Sequence, residues 1–392
     1  MHVLMISLDS AILTQHIGNS RTRHEFYAEQ VGRLSMVICN RRARGTLQPY
    51  QSERVTAQPI NARTYLHYVL DGYRCALRLI AQFPDQPIDL ITTQEPFLTA
   101  LIGLLLKRRL NVPLIIQDHS SFLESEQFAA ERWRNRLLRW LAIQTLPRAD
   151  AVRVVNWQEK AGCVRLGLPS ERVCVIPLVP TLHPFATRNV DDQIQTWRQR
   201  IDATAETPII LWVGRPVAFK NLPMLIRAFA RVRDRCPAAK LVLAGDMTGT
   251  DIPAQIVAAD LGASVYLPGA VTHDKLPALY QTATLYALSS NYEGLPGVLL
   301  EASAASLPIV STANNGSRDL LTDSETGILT PIGDETAMAD AILALINDPE
   351  RRRKLGNSAR EHVFYAFDET RLLTRWVDMW RDVAAGRASS DS

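Results

Sequence analysis

The residues best suited to chemistry lie in one stretch, 291–307, which reads N-Y-E-G-L-P-G-V-L-L-E-A-S-A-A-S-L. An apolar run precedes it and good helix formers follow its glycines, a pattern typical of a strand, a turn and a helix. Gly294 and Gly297 let the backbone approach a ligand closely, and the N–H groups at a helix start attract anions. The pattern therefore predicts a phosphate at this turn.

Two glutamates accompany the turn. Glu293 precedes it, and Glu301 lies about one turn inside the helix, with a side chain that leans back toward the N-terminus. We expect both carboxylates to face one pocket, where neutral hydroxyl groups are their best partners, so the pair suggests a sugar attached to a diphosphate. The alternative is that Glu293 caps the helix and Glu301 is a solvated helix residue.

A second loop supplies positive charge. Gly214 ends an apolar run at 209–213 and permits a turn, and Arg215 and Lys220 follow it. Arginine can bind phosphate oxygens bidentately and lysine offers a movable charge, so the two could neutralise a diphosphate leaving group. The alternative is a solvated basic loop. Because no two aspartates are separated by one residue, we expect an electrostatic mechanism without a metal ion.

The bulk properties are those of a globular protein. A length of 392 residues suggests two domains, and a formal net charge of +3 gives no reason to expect nucleic acid. Five cysteines without a C-x-x-C pair indicate free thiols in a reducing compartment. The N-terminus does not resemble a signal peptide, and the longest apolar run, 98–106, is too short to span a membrane. These features favour a cytoplasmic protein.

Short apolar runs alternate with longer periodic segments in both halves of the chain, which predicts an α/β fold of two doubly wound, parallel sheets. A proline-containing break at 177–208 separates the halves. We expect a first domain at 1–180, a linker at 181–207, a second domain at 208–350, and C-terminal helices at 351–392 that pack back onto the first domain. Ligands are expected in a crevice between the halves, at the carboxyl ends of the strands.

Two features of the first half are ambiguous. His119 ends a predicted strand at the crevice side, as either a functional or a hydrogen-bonded structural histidine. The segment 131–148 carries five arginines beside an apolar stripe with Trp133 and Trp140. That pattern suits an anionic membrane surface, but an ordinary surface helix that buries its stripe against the sheet would share it.

Taken together, these motifs resemble those of the retaining GT-B glycosyltransferases of family GT4. The resemblance is most specific over 209–331, through the Gly214, Arg215 and Lys220 loop and then through Gly269-Ala-Val271, Ser290, Glu293-Gly294, Glu301-Ala302 and Pro308. The first half matches more loosely. The resemblance implies two Rossmann-like domains that face each other across a cleft, with the first on the acceptor side and the second binding the nucleotide sugar.

The resemblance also implies roles for individual residues. Arg215 and Lys220 would contact the diphosphate of a nucleotide sugar, Glu301 its ribose, and Val271 would lie near the base. The donor sugar and phosphate would be contacted by Glu293 and the backbone of Gly294, Leu295, Pro296, Gly297 and Val298. Glu293 and His119 would be the catalytic residues, with His119 reaching the sugar from the first domain. No cofactor or metal is implied, since the nucleotide sugar is a substrate.

The predicted reaction transfers a sugar to an acceptor hydroxyl with retention of configuration, by front-face attack with the leaving phosphate as base. A glycan or lipid-linked acceptor at the cytoplasmic face of a membrane is expected, in the synthesis of cell-surface glycan, polysaccharide or glycolipid. A nucleotide-sugar epimerase of similar fold and a non-catalytic nucleotide-sugar-binding subunit remain alternatives. The chain departs from the family at Ser7-Leu-Asp-Ser10, where a Gly-Gly turn is common, and at Ser306, where glycine is usual.

Overall fold

Two parallel β-sheets, each in its own part of the chain, form the framework. The computed structural model describes residues 1–14, 20–64, 67–119, 123, 126–178, 180–187 and 191–387. Unit 1 comprises Met1–Leu178 and Thr370–Ser392, and unit 2 comprises Val179–Glu369. Each unit is a layered α/β structure, so the prediction of two Rossmann-like folds is confirmed.

The sheet of unit 1 has eight strands in the order β3-β4-β2-β1-β5-β6-β7-β8. All neighbours are parallel except β3 and β4. The strand order reverses between β1 and β5, which is the position where open α/β sheets bind ligands. The strands are β1 His2–Ser7, β2 Arg33–Ile38, β3 Tyr50–Gln51, β4 Val55–Pro59, β5 Leu90–Thr93, β6 Leu114–Asp118, β7 Ala151–Val154 and β8 Val173–Val175.

Helices connect these strands across the sheet. They are α1 Ser20–Val31, α2 Tyr68–Ile80, α3 Leu98–Leu110, α4 Glu126–Glu131, α5 Trp133–Thr145 and α6 Trp157–Arg165. The sequence pattern predicts a helix over 61–82, but α2 begins only at Tyr68, so this prediction was wrong at its start. Strand β4 was not identified from the sequence, and it ends in Pro59, which has no N–H for a sheet ladder.

The arginine-rich segment at 131–148 is not one helix packed flat on the sheet. It is divided at Arg132, after which α5 begins. Trp133, Leu137 and Trp140 are 79%, 52% and 57% exposed. Their spacing puts them on one face of α5. The interpretation that this helix buries its whole stripe is therefore wrong, although Ile143 does pack against the core.

The sheet of unit 2 has six parallel strands in the order β11-β10-β9-β12-β13-β14. Its order reverses between β9 and β12. Strand β9 is buried along its whole length, as its run of apolar residues predicts for a central parallel strand. The strands are β9 Ile209–Val213, β10 Lys240–Ala244, β11 Val265–Gly269, β12 Leu285–Leu288, β13 Ile309–Thr312 and β14 Ile328–Thr330.

The helices of unit 2 begin within the segment predicted as a linker. They are α7 His183–Ala186, α8 Asp191–Ile201, α9 Leu222–Arg235, α10 Ile252–Ala258, α11 Leu276–Thr282, α12 Gly297–Ala304, α13 Asn315–Leu320, α14 Glu335–Asn347 and α15 Pro349–Ala366. Helix α8 buries only Trp197 and Ile201, and it packs against α11. So few apolar positions in a polar segment give little sequence signal for a helix.

The last helix, α16 (Glu369–Ala384), belongs to unit 1 from Thr370 onward. Trp376 and Trp380 are almost fully buried in the core of that unit. The Trp380 ring meets the Tyr27 ring edge-on, with their centroids 5.3 Å apart. Helix α16 is thus an integral part of the first folding unit.

Within the described residues, no helix combines the length and the apolar character that crossing a membrane requires.

Replacing a buried tryptophan of α16 tests this packing. We expect Trp380→Ala to reduce the free energy of unfolding by about 3–5 kcal/mol, because it removes a large side chain from a close-packed core. The matched control is Trp140→Ala on α5, whose side chain is more than half exposed. Chemical denaturation followed by circular dichroism measures both, and equal effects would contradict the assigned packing.

Candidate functional site

The loops that follow β9 and β12 meet at the point where the strand order of unit 2 reverses. The Asn291 N–H donates to the Phe219 carbonyl at 2.7 Å, and the Ser289 hydroxyl donates to the Lys220 carbonyl at 2.7 Å. The Asn221 side-chain amide donates to Asn291 Oδ1 at 2.9 Å. These bonds hold the two loops in a defined relation and bring together residues that are some 70 positions apart in sequence.

An ion pair lies at this junction. Lys220 Nζ is 2.5 Å from Glu293 Oε1, and the side chains are only 13% and 10% exposed. The Ser290 hydroxyl donates to the same carboxylate oxygen at 2.6 Å. Lys220 is therefore not the solvated residue of the alternative interpretation. Arg215, in contrast, is exposed, and no ion pair to it occurs among the described residues.

The backbone at the carboxyl ends of β9, β10 and β11 is closely spaced beside the Gly214 loop. The Gly214 N–H donates to the Ala244 carbonyl at 3.0 Å, and the Gly245 N–H donates to the Gly269 carbonyl at 2.9 Å. A Cβ atom on Gly245 would lie 2.1 Å from the Gly214 oxygen. Position 245 must therefore be glycine for the Gly214 turn to form as it does.

The turn before α12 is the predicted phosphate site. Pro296 is the N-cap residue and has no side-chain group to satisfy the first N–H groups of the helix. For the N–H groups of Gly297 and Val298, no acceptor is found in the described part of the chain. Such groups, with the positive end of the helix dipole, suit a phosphate oxygen. The phosphate expected here from Gly294 and Gly297 stays a prediction.

Another glycine, Gly316 of α13, lets this helix pack closely against the turn. The Gly316 N–H donates to the Glu293 carbonyl at 3.2 Å. A Cβ atom on Gly316 would lie 2.6 Å from the Gly294 oxygen and 2.8 Å from a Pro296 ring carbon. Helix α13 can therefore pack against residues 293–296 only if glycine stands at this position.

Glu301 is buried inside α12, with a relative exposure of 8%. The Tyr280 hydroxyl donates to Glu301 Oε2 at 2.7 Å. Burial raises the pKa of Glu301 to about 7, against the smaller lowering effect of the Tyr280 hydrogen bond. The interpretation of Glu301 as a solvated helix residue is therefore wrong. Its second oxygen leaves capacity for a further hydroxyl donor.

The remaining predicted residues of unit 2 occupy the same end of the sheet. Val271 is half-buried just after β11, and Leu295 is half-buried within the turn. Sequence reasoning gave no role to four residues that shape this region, although Tyr280 and Ser290 belong to the pattern that carries the family resemblance. Three of them, Gly245, Ser290 and Gly316, act through backbone approach or a single hydroxyl, and the fourth is Tyr280. The available sequence signals were the position of Gly245 directly after a predicted strand and the family-like pattern around Tyr280 and Ser290, and Gly316 had no such signal.

His119 lies in unit 1, just after β6. Its Nε2 atom is 3.1 Å from Gln117 Oε1, and its Nδ1 atom is buried without a hydrogen-bond partner among the described residues. Burial, followed by the charges of Arg153 and Arg23, lowers the pKa of His119 to about 3. The imidazole is consequently neutral at physiological pH.

No cluster of three or more histidine, cysteine, aspartate or glutamate side chains suited to a metal ion occurs within the described ranges.

Comparison with known families assigns the chain. Residues 193–362 match the model of the glycosyl transferases group 1, and residues 18–178 match that of the glycosyl transferase 4-like domain. The chain belongs to the group 1 family of glycosyl transferases, of the GT4 type, and is a glycosyltransferase. The resemblance inferred from the Gly214 loop and the Glu293 turn is thereby confirmed.

Relatives of known name are enzymes of the same kind. The chain is 31% identical over 343 residues to D-inositol 3-phosphate glycosyltransferase of Salinispora tropica, covering 81% of this chain and 69% of the relative. It is 30% identical over 259 residues to alpha-D-kanosaminyltransferase of Streptomyces kanamyceticus, covering 65% and 67%.

Solved structures show that the fold is GT-B. Sucrose-phosphate synthase from Thermosynechococcus elongatus superposes with a TM-score of 0.81 at 23% identity, over 98% of this chain and 100% of that one. Anabaena HepE in complex with UDP-glucose gives a TM-score of 0.74 at 18% identity, over 97% and 99%.

The buried carboxyl group of Glu301 predicts a dependence of stability on pH. In the unfolded chain it loses its proton near its usual pKa of 4.5, but in the folded protein only near pH 7. Between these values the folded state binds more protons, so the free energy of unfolding falls as the pH rises. Glu301→Gln keeps an acceptor for Tyr280 but cannot ionise. We expect this variant to lose that part of the slope and to melt at a higher temperature than the wild type above pH 7.

Thermal melts across this pH range measure the effect. The control is Glu361→Gln, which replaces an exposed glutamate on α15 and should leave the slope unchanged. A slope in Glu301→Gln equal to that of the wild type would contradict the assigned ionisation.

Proposed function

We propose that this glycosyltransferase moves a sugar from a nucleotide diphosphate to an acceptor hydroxyl, with retention of anomeric configuration. The observation that carries the proposal is the Lys220–Glu293 ion pair next to the open start of α12. It joins a movable cation, a carboxylate and a backbone anion site at one end of a parallel sheet, where ligands of this fold type bind.

Charge balance favours an anionic ligand at this position. Arg215 and Lys220 contribute two positive charges, Glu293 contributes one negative charge, and Glu301 titrates near neutral pH. A diphosphate competes with Glu293 for the Lys220 ammonium. When Lys220 turns toward phosphate, Glu293 keeps its hydrogen bond from the Ser290 hydroxyl, so the buried carboxylate is not left unpaired.

The sugar and the ribose are assigned to the two carboxylates. Once Lys220 binds phosphate, Glu293 has capacity to accept hydroxyl groups of the donor sugar. Glu301 has one oxygen occupied by Tyr280, and its other oxygen is available for the ribose. The structure of Anabaena HepE with UDP-glucose supports a nucleotide-sugar donor for a protein of this fold. Val271, just after β11, is assigned to the base.

The proposed reaction uses these groups in the following way. The bond between the anomeric carbon and the diphosphate oxygen breaks, and its electron pair stays on that oxygen. The acceptor oxygen forms the new bond on the same face of the sugar, and its proton passes to the leaving phosphate. Arg215, Lys220 and the N–H groups of α12 stabilise the charge that develops on the diphosphate. This electrostatic role requires neither a metal ion nor a covalent bond to Glu293.

Donor binding is tested by thermal shift against UDP, GDP, ADP and dTDP sugars, with and without a chelator. We expect one base to raise the melting temperature by mass action on the folded state, unaffected by the chelator. Nuclear magnetic resonance of the product then gives its anomeric configuration. Absence of any shift at millimolar donor, or an inverted product, would refute the corresponding part of the proposal.

Variants separate binding from stability. Arg215→Ala removes an exposed side chain, so we expect an unchanged melting temperature but at least a tenfold loss of kcat/KM, equivalent to about 1.4 kcal/mol. Lys220→Ala should lose at least as much activity, and it should also lower stability because Glu293 loses its cation. The control Lys354→Ala changes an exposed lysine on α15. Wild-type kinetics in Arg215→Ala and Lys220→Ala would disprove the site.

We also propose that the enzyme acts at the cytoplasmic face of a membrane, on a lipid-linked or glycan acceptor. The supporting observation is the exposed face of α5. Trp133, Leu137 and Trp140 form an apolar stripe, and Arg132, Arg134 and Arg136 beside it are exposed. Tryptophan at the level of the lipid headgroups, together with arginine near anionic lipid, is the expected composition of a helix that lies in a membrane interface.

Sedimentation with vesicles tests this contact. We expect binding to vesicles that contain phosphatidylglycerol, weaker binding at high salt, and none to pure phosphatidylcholine. The Trp133→Ala/Trp140→Ala double variant should bind at least tenfold more weakly, because the apolar stripe is lost. Trp157→Ala, which replaces another exposed tryptophan on α6, is the control. Equal binding by the double variant and the wild type would exclude α5 as the contact.

A further inference from the structure

A hydrogen-bonded network of four polar side chains crosses three neighbouring strands of unit 1. It is separate from the proposed donor site in unit 2. The network connects Thr92 on β5 with Gln117 on β6, and Gln117 with both Arg153 on β7 and His119. Gln117 Nε2 donates to Thr92 Oγ1 at 3.1 Å, and Arg153 donates through a terminal nitrogen to Gln117 Oε1 at 3.3 Å. The His119 Nε2 atom meets the same Gln117 oxygen at 3.1 Å. Thr92, Gln117 and Arg153 are all buried.

Only one member of this network has a fixed hydrogen-bonding role as donor or acceptor. A threonine hydroxyl can donate or accept, a glutamine amide can turn over, and a neutral histidine can carry its proton on either nitrogen. A guanidinium group can only donate. Burial lowers the pKa of Arg153 to about 10, which is still far above neutral pH. Arg153 therefore determines the roles of the others.

The fixed donor role of Arg153 determines the roles of the other network members in turn. The Gln117 atom that faces Arg153 must be the oxygen, so the amide nitrogen faces Thr92. Because that oxygen is an acceptor, His119 must carry its proton on Nε2. The His119 Nδ1 atom is then a bare acceptor, and it is the atom that is buried without a partner among the described residues. A buried acceptor without a donor costs free energy that a ligand hydroxyl would recover.

The surroundings of Arg153 make it a rigid reference. Its Nε atom donates to the Ile176 carbonyl at 2.8 Å, and its other terminal nitrogen donates to the Pro177 carbonyl at 3.1 Å. The guanidinium carbon lies 4.5 Å from the centroid of the Trp376 ring. Within the described residues no carboxylate forms an ion pair with Arg153. Its uncompensated charge therefore disfavours a second proton on His119, as does Arg23.

We propose that Arg153 is a positioning residue which, through Gln117, holds His119 as the neutral Nε2–H tautomer and so presents Nδ1 as an acceptor for a substrate hydroxyl. The tautomer follows from unit 1 alone, and the assignment of the hydroxyl to a substrate rests on the proposed transferase function. In this arrangement His119 binds and orients a substrate hydroxyl and does not transfer a proton.

The tautomer is measured without reference to activity. Full-length protein labelled with ¹⁵N-histidine gives long-range ¹H–¹⁵N spectra in which the two ring nitrogens differ, and His119→Gln assigns the signal. We expect a protonated Nε2 and an unprotonated Nδ1 from about pH 5 to 8. In Arg153→Met the second tautomer should become populated, whereas Thr92→Val should leave the wild-type pattern. A protonated Nδ1 in the wild type, or a single Nε2–H tautomer in Arg153→Met, would overturn the proposal.

A double-mutant cycle separates positioning from structural support. His119→Asn places an amide acceptor near the Nδ1 position and needs no tautomer, whereas His119→Gln reaches only toward the Nε2 position. We expect His119→Asn to be more active than His119→Gln. Arg153→Met should lower kcat/KM about tenfold in the wild type but cause no further loss in the His119→Asn background. An equal loss in both backgrounds would mean that Arg153 is merely structural.

A second variant protects the experiment against misfolding. If Arg153→Met does not fold, Gln117→Met takes its place in the cycle, because it removes the connection but leaves the Arg153 bonds to Ile176 and Pro177 intact. If no donor is turned over at all, the proposed function fails, but the nitrogen spectra still confirm or refute the tautomer.

Discussion

The junction of the loops after β9 and β12 in this glycosyltransferase depends on one short ion pair, Lys220–Glu293. It closes two loops that leave adjacent strands of the unit 2 sheet, and further backbone and amide bonds keep those loops in register. A buried pair of this kind is tolerated only where each charge is well compensated. The Ser290 hydroxyl completes the compensation of the carboxylate. The arrangement keeps both charges paired in the interior.

Burial of polar groups recurs in both units, and each time a neighbouring group restricts what the buried one can do. Glu301 is held by Tyr280 and titrates near neutral pH because water is excluded. His119 is held by Gln117 and remains neutral. In a low-dielectric interior the unfavourable form of a titratable group is suppressed more strongly than in water. The surrounding fold therefore selects the protonation state of each group.

Much of the architecture could be predicted from the sequence. The alternation of apolar runs and periodic segments indicated two parallel α/β sheets, and the turn at 291–297 was placed correctly before α12. Prediction was weaker where few side chains are buried, as in α8, which lies in a segment expected to be a linker. It was also weaker at α2, which begins later than its polar leading segment suggested. In both cases tertiary contacts stabilise an element that local pattern marks poorly.

By itself, the sequence determined the chemical inventory: two loops with cations, carboxylates and glycines at spacings typical of GT4 enzymes. Those spacings are local because a strand, the turn after it and the start of the next helix follow one another within a few residues. Only the tertiary structure decided that Lys220 pairs with Glu293, that Glu301 is buried against Tyr280, and that Arg153 controls Gln117 and His119. These contacts join residues far apart in the chain, and burial, charge and hydrogen-bond direction are properties of the packed neighbourhood. Local sequence does not specify that neighbourhood, which exists only once the sheets have formed.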